Sequence, residues 1–263
     1  MKLSVVTICF NEVSTIQKTI ESVIKQNYTD FEYIIIDGGS TDGTMNIVNQ
    51  YKNVVSRIIS EKDEGIFFAM NKSLDLAIGE FIYFLNAGDF LVNNYIFSEI
   101  FEIVKSEDLI YGDVIFVYES GLKFRRRSPK TLKPEYFFID SINHQTTFIK
   151  LDLIKKAGGF DTSFKIAGDY DLILKLVYQE KCKTKYIEMP VSYFNLSGIS
   201  SNSGFNELQN EERAICLKRY FDADTLEKLR KKKFISDIIN KKIKYSYSLI
   251  LSNLSNNFLF GKK

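Results

Sequence analysis

The sequence predicts an α/β fold, a mostly parallel sheet sandwiched by helices, with a C-terminal helical extension. Three observations carry that expectation. Short β-branched apolar runs alternate with segments of helical periodicity from residue 3 to about residue 90. Those runs are almost continuously apolar, as strands covered on both faces are. From residue 205 onward helix formers dominate, with few breakers and no internal repeat.

The elements follow in order. LSVVTICF (3–10) reads as a strand. Ser14 followed by Gln17 is a capping-box pattern, opening a helix with Ile16, Ile20, Val23 and Ile24 on one face. EYIIID (32–37) is the second strand, followed by a helix near 42–52, and RIIS (57–60) is the third. A helix near 66–78 is expected to end on Gly79 in a left-handed terminus, and EFIYFLN (80–86) follows as a fourth strand. Beyond residue 90 come a helix near 94–105 and a hairpin, LIYGDVIFVYESGLKFRRR, turning at Glu119-Ser120-Gly121. Residues 129–142 hold two of the three prolines and read as a loop. HQTTFIK (144–150) reads as a strand, 151–157 as a helix, and Gly158-Gly159-Phe160-Asp161 as a turn. A helix near 169–180, a strand near 184–194 and a loop, Asn195 to Gly204, complete the body.

With 263 residues, 45% hydrophobic and 26% charged, the chain can bury one large domain plus a small appendage, which excludes disorder, collagen and a disulfide-stapled mini-protein. Cys9, Cys182 and Cys216 are odd in number and widely spaced, and His144 is the only histidine. A disulfide framework or zinc site is therefore not expected, and a reducing cytoplasm is the expected compartment. Asn11 and Glu12 end the first apolar run short of a signal-peptide core, and no run of about 18 apolar residues appears. Any membrane contact is expected to be peripheral. The net charge of +2 conceals a split: residues 225–263 carry ten Lys/Arg against two acids, so a body at −6 precedes a tail at +8.

In open parallel sheets ligands sit beyond the carboxyl ends of the strands. Those ends carry Thr7 to Glu12, Asp37 to Ser40, Ser60 to Gly65, and Asn86 to Asp89. Any one acid there could be a solvated turn residue; four consecutive strand ends so furnished point to a site. The run Asp37 to Thr44 lacks the GxGxxG spacing of a dinucleotide fold. A tight turn capped by Thr41 or Asp42 explains its glycines but not the acid that closes the strand. A carboxylate there can accept the imide N–H of a uracil. Asp89 is a candidate ligand for Mg2+ or Mn2+ that would neutralise a leaving diphosphate, the alternative being a plain strand-end turn.

Five segments in this order resemble the inverting family-2 glycosyltransferases of the GT-A fold, Rossmann-like enzymes of bacterial surface-polysaccharide assembly. They are SVVTICFNE (4–12), IIIDGGSTDGT (34–44), EKDEGIFFAMNKSLDLAIGEFIYFLNAGD (61–89), HQTTFIK with GGFDTSF (144–164), and GDYDLILKL (168–176). The resemblance covers roughly residues 2–200 and implies that Thr7, Asn11 and Glu12 line the nucleotide pocket and that Asp37 reads the base. It implies that the Asp63 to Gly65 turn, with Asn71 and Lys72, flanks the ribose and diphosphate. The family's metal motif is acid-rich, whereas this chain has Asn86 and Gly88 and keeps only Asp89, so a cation is expected on Asp89 and the diphosphate, with a contribution from Asn86 left open.

Inverting transfer needs a base for the acceptor hydroxyl. By resemblance Asp169 is that base, with Gly168 where an acid often stands; the alternatives are a simple helix cap at Asp169 and a base at Asp171, which points elsewhere once the helix begins. His144 and Gln145 are candidate substrate contacts, His144 alternatively a packed structural residue. Arg125, Arg126 and Arg127 could meet a phosphate of a lipid-linked acceptor, and the loop Leu196 to Ser200 resembles one that closes over the donor.

The expected organisation is a catalytic domain over 1–222 and a basic amphipathic extension over 223–263. Phe234, Ile235, Ile238, Ile239 and Ile243 recur at helical spacing between Arg230 to Lys233 and Lys241 to Lys244. Such a helix lies on an anionic membrane surface, or packs its apolar face on the body or on a second subunit in a homo-oligomer. Nucleic acid is not an expected partner, because no recognition fold accompanies the basic clusters. The expected activity is sugar transfer from a nucleotide-sugar donor, UDP-linked, to a hydroxyl of a lipid-linked saccharide, at the inner face of the cell membrane. The alternative is a catalytically weak partner that scaffolds another transferase. A nucleotidyltransferase would need an N-terminal Gly-rich phosphate loop, which residues 7–12 lack.

Overall fold

Residues 1–118, 120–196 and 206–235 are described by a computed structural model. They fall into two compact units, Met1–Cys216 and the segment from Leu217 onward.

The first unit is built on a curled nine-stranded mixed sheet of order β3-β2-β1-β4-β8-β6-β9-β5, with β7 paired to β6. Strands β1 (Leu3–Cys9), β2 (Phe31–Asp37), β3 (Arg57–Ser60) and β4 (Phe81–Phe84) run parallel. Every residue of β1 is buried, as are the last six of β2, which is why these segments are apolar without alternation. Register aligns Cys9 with Asp37 and Asp37 with Ser60. The carboxyl ends of β1, β2 and β3 therefore finish level at one edge.

Antiparallel additions widen the sheet. β8 (Thr147–Lys150) lies between β4 and β6 (Leu109–Val117), and β7 (Lys123–Arg126) forms the expected hairpin with β6. β9 (Thr184–Asn195) runs parallel to β6, and the two-residue β5 (Phe90–Leu91) pairs with β9. Helices α1 (Ile16–Ile24), α2 (Thr44–Val48), α3 (Ile66–Leu76) and α4 (Ile96–Ile103) connect the first half. Around Tyr83 the core is aromatic: its ring stacks on Phe148 at 4.3 Å and meets Phe97 edge-on at 5.9 Å. Burying one such side chain stabilises the fold by about 1.5–3 kcal/mol.

Several local expectations are corrected. The capping box does not form: α1 starts at Ile16 without a side-chain cap, Gln17 donates to Glu21 instead (2.9 Å), and the Thr15 hydroxyl turns back to the Glu12 carboxylate. Gly79 is not in a left-handed conformation. It is required because a Cβ there would come within 2.5 Å of the Ser4 backbone nitrogen. Gly79→Ala is accordingly expected to cost about 1–3 kcal/mol, read as a lower urea midpoint at unchanged slope. Within the 129–142 segment Pro134 opens a short helix, α5 (Pro134–Ile139), a first-turn position where its missing N–H costs nothing.

Residues His144–Thr146 form a single 3-10 turn before β8. α6 (Leu151–Lys156) ends at Gly158 and Gly159, both at positive φ. α7 (Gly168–Leu174) relaxes into a π turn, Lys175–Gln179. α8 (Asn206–Tyr220) follows.

In the second unit residues 223–235 are helical, with Phe234 and Ile235 exposed. Among the described residues no helix is long and apolar enough to cross a membrane. Glu119 at the hairpin turn, Ser197 to Ser200 of the expected closing loop, and Ile238, Ile239, Ile243 and Lys241 to Lys244 of the tail lie outside the described residues.

Candidate active site

The β1–α1 and β2–α2 loops are tied to each other at the sheet edge. Asn11 sits at φ 54, a left-handed conformation that Asn tolerates. Its N–H donates to Ser40 Oγ (2.7 Å) and its Oδ1 accepts the Thr41 N–H (2.9 Å). The next two N–H groups, of Glu12 and Val13, donate to Thr44 Oγ1 (2.8 Å) and Asp42 Oδ2 (3.0 Å). Asp37, fully buried, accepts the N–H groups of Gly39 and Ser40 and the hydroxyls of Ser40 and Ser60. Burial alone would raise its carboxyl. The four hydrogen bonds prevail and hold it below the ordinary carboxylate range.

Two residues of this region differ from expectation. Thr7 is wholly inside the sheet, its hydroxyl bonded to the Leu85 carbonyl (2.8 Å) and Tyr33 Oη (2.9 Å), so it packs the core and is no longer assigned to a pocket wall. Phe10, by contrast, was not singled out in the sequence. It is 60% exposed, and its ring lies over Gly38, where an added Cβ would stand 3.5 Å away. The signal was there: an aromatic residue between an apolar strand and a polar turn.

On the other side of β2, Lys72 of α3 pairs with Glu61 (2.5 Å) and Asp63 (2.6 Å). Its partial burial would lower its ammonium pKa, but these ion pairs outweigh that and raise it. Gly65, at φ 151, turns the chain into α3. Asn71 faces a different task from the one expected. Its Oδ1 accepts the Phe160 N–H and its Nδ2 donates to the Phe160 carbonyl, both at 2.8 Å. The carboxamide is used to clamp the Gly158–Asp161 turn and is not assigned to the ribose.

The loop after β4 and the segment before β8 meet at the centre. Asp89 is 5% exposed; its Oδ1 accepts the Asn195 N–H and its Oδ2 the Gln145 amide, both at 3.0 Å. Burial pushes its carboxyl up to about 7, against the pull of those bonds. One residue before Gln145, His144 bridges Asn86 and Asp169: Nε2 lies 3.1 Å from Asn86 Nδ2, and Nδ1 lies 3.0 Å from Asp169 Oδ2. The other oxygen of Asp169 accepts the Tyr170 N–H at 2.8 Å. Asp171 is 4% exposed and buried on α7, so of the two acids it is Asp169 that reaches His144.

Two residues place α7. Gly168 lies against the Phe67 ring, where a Cβ would approach to 2.7 Å, a steric reason for glycine in front of Asp169. Glu212 of α8, buried, accepts the N–H groups of Lys165, Ile166 and Ala167 at 2.8–2.9 Å. Sequence reasoning passed over Glu212, whose role depends on a partner 45 residues away.

Two of the three arginines are held within the fold, Arg125 by buried Asp113 (2.6 Å) and Arg126 by Asp140, and their expected contact with a phosphate is withdrawn. Arg127 is exposed and meets Glu188 only at 3.4 Å. Among the described residues, no three His, Cys, Asp or Glu side chains cluster as a metal cage. The buried oxygens Asn86 Oδ1, Gln145 Oε1 and Asp63 Oδ2 find no hydrogen-bond partner among the described residues.

Comparison with known proteins agrees with this architecture. A mycobacterial protein named as a PGL/p-HBAD biosynthesis glycosyltransferase, from Mycobacterium bovis, is 29% identical over 206 residues, covering 76% of this chain and 79% of its own. The solved structure of S. aureus TarS 1-349 in complex with UDP superimposes with a TM-score of 0.60 at 22% identity, covering 74% of this chain and 60% of that one. A Pyrobaculum calidifontis mannosyltransferase solved with GDP-Man and Mn2+ has a TM-score of 0.58 at 13% identity, covering 100% of this chain and 88% of its own. These two likenesses speak to the fold. The sequence model of glycosyl transferase family 2 matches residues 4–166, and the chain belongs to that family.

Proposed function

We propose that the protein is an inverting glycosyltransferase that moves a sugar from a UDP-linked donor to a hydroxyl of a lipid-linked saccharide in bacterial surface-polysaccharide assembly. The observation that carries this reading is the joining of Asp89 and Asp169 through adjacent residues, Gln145 and His144, beyond the carboxyl ends of the parallel strands. One carboxylate then serves the leaving group and the other the attacking hydroxyl. Asp169 accepts the proton of that hydroxyl as its oxygen bonds to the anomeric carbon, and the bond from that carbon to the diphosphate oxygen breaks on the opposite side.

The base of the donor is read at the tied loops. Phe10 offers a stacking face, and Asp37 holds the loop of Gly38 to Ser40 beside it. Phe10→Ala is expected to weaken UDP binding by about 1–3 kcal/mol, measured by calorimetry; unchanged affinity would remove the ring from the pocket. Asn11, Glu12, Asp63, Gly65 and Lys72 frame the rest.

Mn2+ or Mg2+ fits the residues around Asp89. The carboxylate and the unpartnered amide oxygens of Asn86 and Gln145 are hard oxygen donors, and a site with a single acid leaves the remaining positions to phosphate oxygens. When bound, the cation neutralises charge on the departing diphosphate.

The basic tail brings the site to an acceptor at the inner membrane face. Full-length protein is expected to co-sediment with anionic liposomes while a chain ending at residue 222 stays in the supernatant; equal binding by both would remove this role. The overall reading is tested by thermal-shift measurements with UDP-, GDP- and dTDP-sugars in Mn2+. A rise in midpoint with a UDP-sugar supports it; no response to any donor contradicts it.

A further inference from the structure

Asp169 lies in the first turn of α7, where a carboxylate can adopt several rotamers and one of them merely caps the helix. Its contact with Tyr170 is local and compatible with such a cap. The contact that sets its direction is to His144, 25 residues away in sequence. We propose that His144 is the positioning residue of the base: its Nδ1–H fixes the Asp169 carboxylate, and Asn86, holding Nε2, sets the distance of that carboxylate from the loop that carries Asp89. This rests on Asp169 being the base.

The hydrogen-bonding pattern has one neutral solution. An ionised carboxylate only accepts, so Nδ1 carries the ring proton. Asn86 presents its amide nitrogen, a donor, so Nε2 accepts. In this tautomer each Asp169 oxygen receives one hydrogen bond, from His144 or from the Tyr170 N–H, and each keeps a lone pair for the acceptor's proton. The Asn86 carbonyl oxygen is buried and has no partner among the described residues. Gln145, the next residue, holds Asp89 in the same way. A single turn, His144–Thr146, thus indexes both carboxylates of the reaction to each other.

His144 is the only histidine, so full-length protein labelled with 15N in the imidazole reports one ring. The expected spectrum is that of the Nδ1–H tautomer, with the Nδ1 signal shifted in Asp169→Ala. An Nε2–H tautomer, or an Nδ1 signal unmoved by Asp169→Ala, overturns the proposal without any assay of transfer. In steady-state kinetics His144→Ala is expected to lower kcat about 10–100-fold, the usual effect of losing an orienting partner, with donor KM unchanged within about twofold. His144→Asn, whose amide nitrogen reaches the position of Nδ1, should restore part of that loss. Normal kcat in His144→Ala beside an inactive Asp169→Asn overturns the positioning role and leaves the base in place, as does a loss confined to donor KM. Undiminished transfer by Asp169→Asn instead overturns the base, and the role of His144 falls with it. Should His144→Ala fail to fold, the spectrum of the unmodified protein still decides.

Discussion

Asp169→Asn is expected to bind donor normally and to transfer sugar about 10^2–10^4-fold more slowly, the range associated with a positioned general base. The substitution keeps the shape of the side chain, and its single amide oxygen can still accept the His144 Nδ1–H at the expense of the local bond from the Tyr170 N–H. What the reaction loses is the basic carboxylate. Because Glu212 and the Gly168–Phe67 contact hold the loop independently of Asp169, circular dichroism and melting should be nearly unchanged. A variant of near-normal rate would send the search for the base elsewhere. Asp171, buried at 4% exposure, is a poor substitute.

Asp89→Ala is expected to abolish Mn2+-dependent turnover, because the remaining donors around it are neutral amides. Alanine also strips the partner from the Asn195 N–H and the Gln145 amide, so Asp89→Asn, which keeps an acceptor oxygen, is the companion variant. Burial raises the Asp89 carboxyl to about 7 from an ordinary 3.8, so Mn2+ binding should strengthen as pH rises through about 7 and release a proton below it. The same shift has a sign for stability. Between about 4 and about 7 the folded protein keeps a proton that the unfolded chain has released, so metal-free stability falls as pH rises across that window and then levels off. The slope integrates to on the order of 4 kcal/mol. Urea unfolding of metal-free protein from pH 4 to 8 measures it, and Asp89→Asn should flatten the curve.

β1, β2 and β4 were legible because strands buried on both faces must be apolar throughout, and the polar residues that close or follow them stand out at Asp37 and Asn86, whereas β3, a half-exposed edge strand, showed only as Ile58 and Ile59 before Ser60. Their convergence on one edge followed from parallel pairing alone. The elements that were misread depend on contacts distant in sequence. Gly79 looks like a helix terminator until Ser4 is seen against it. Asn71 looks like a ligand contact until the Phe160 backbone occupies both ends of its amide. Thr7 resembles a pocket hydroxyl, yet Tyr33 and Leu85 enclose it. The two-residue β5 has too little sequence to carry a period. In the site, residue types were readable but couplings were not: no local pattern says that His144 reaches Asp169 or that Gln145 reaches Asp89.

The central claim is a single displacement at the anomeric carbon with Asp169 as base. It is tested most directly by following, with proton NMR, the first-formed anomer when the protein slowly releases sugar from a UDP-α-linked donor into water with Mn2+ present. The account predicts the β anomer first, with the α anomer growing in only as the free sugar equilibrates. Initial formation of the α anomer, or no release of UDP from any donor that binds, would contradict it.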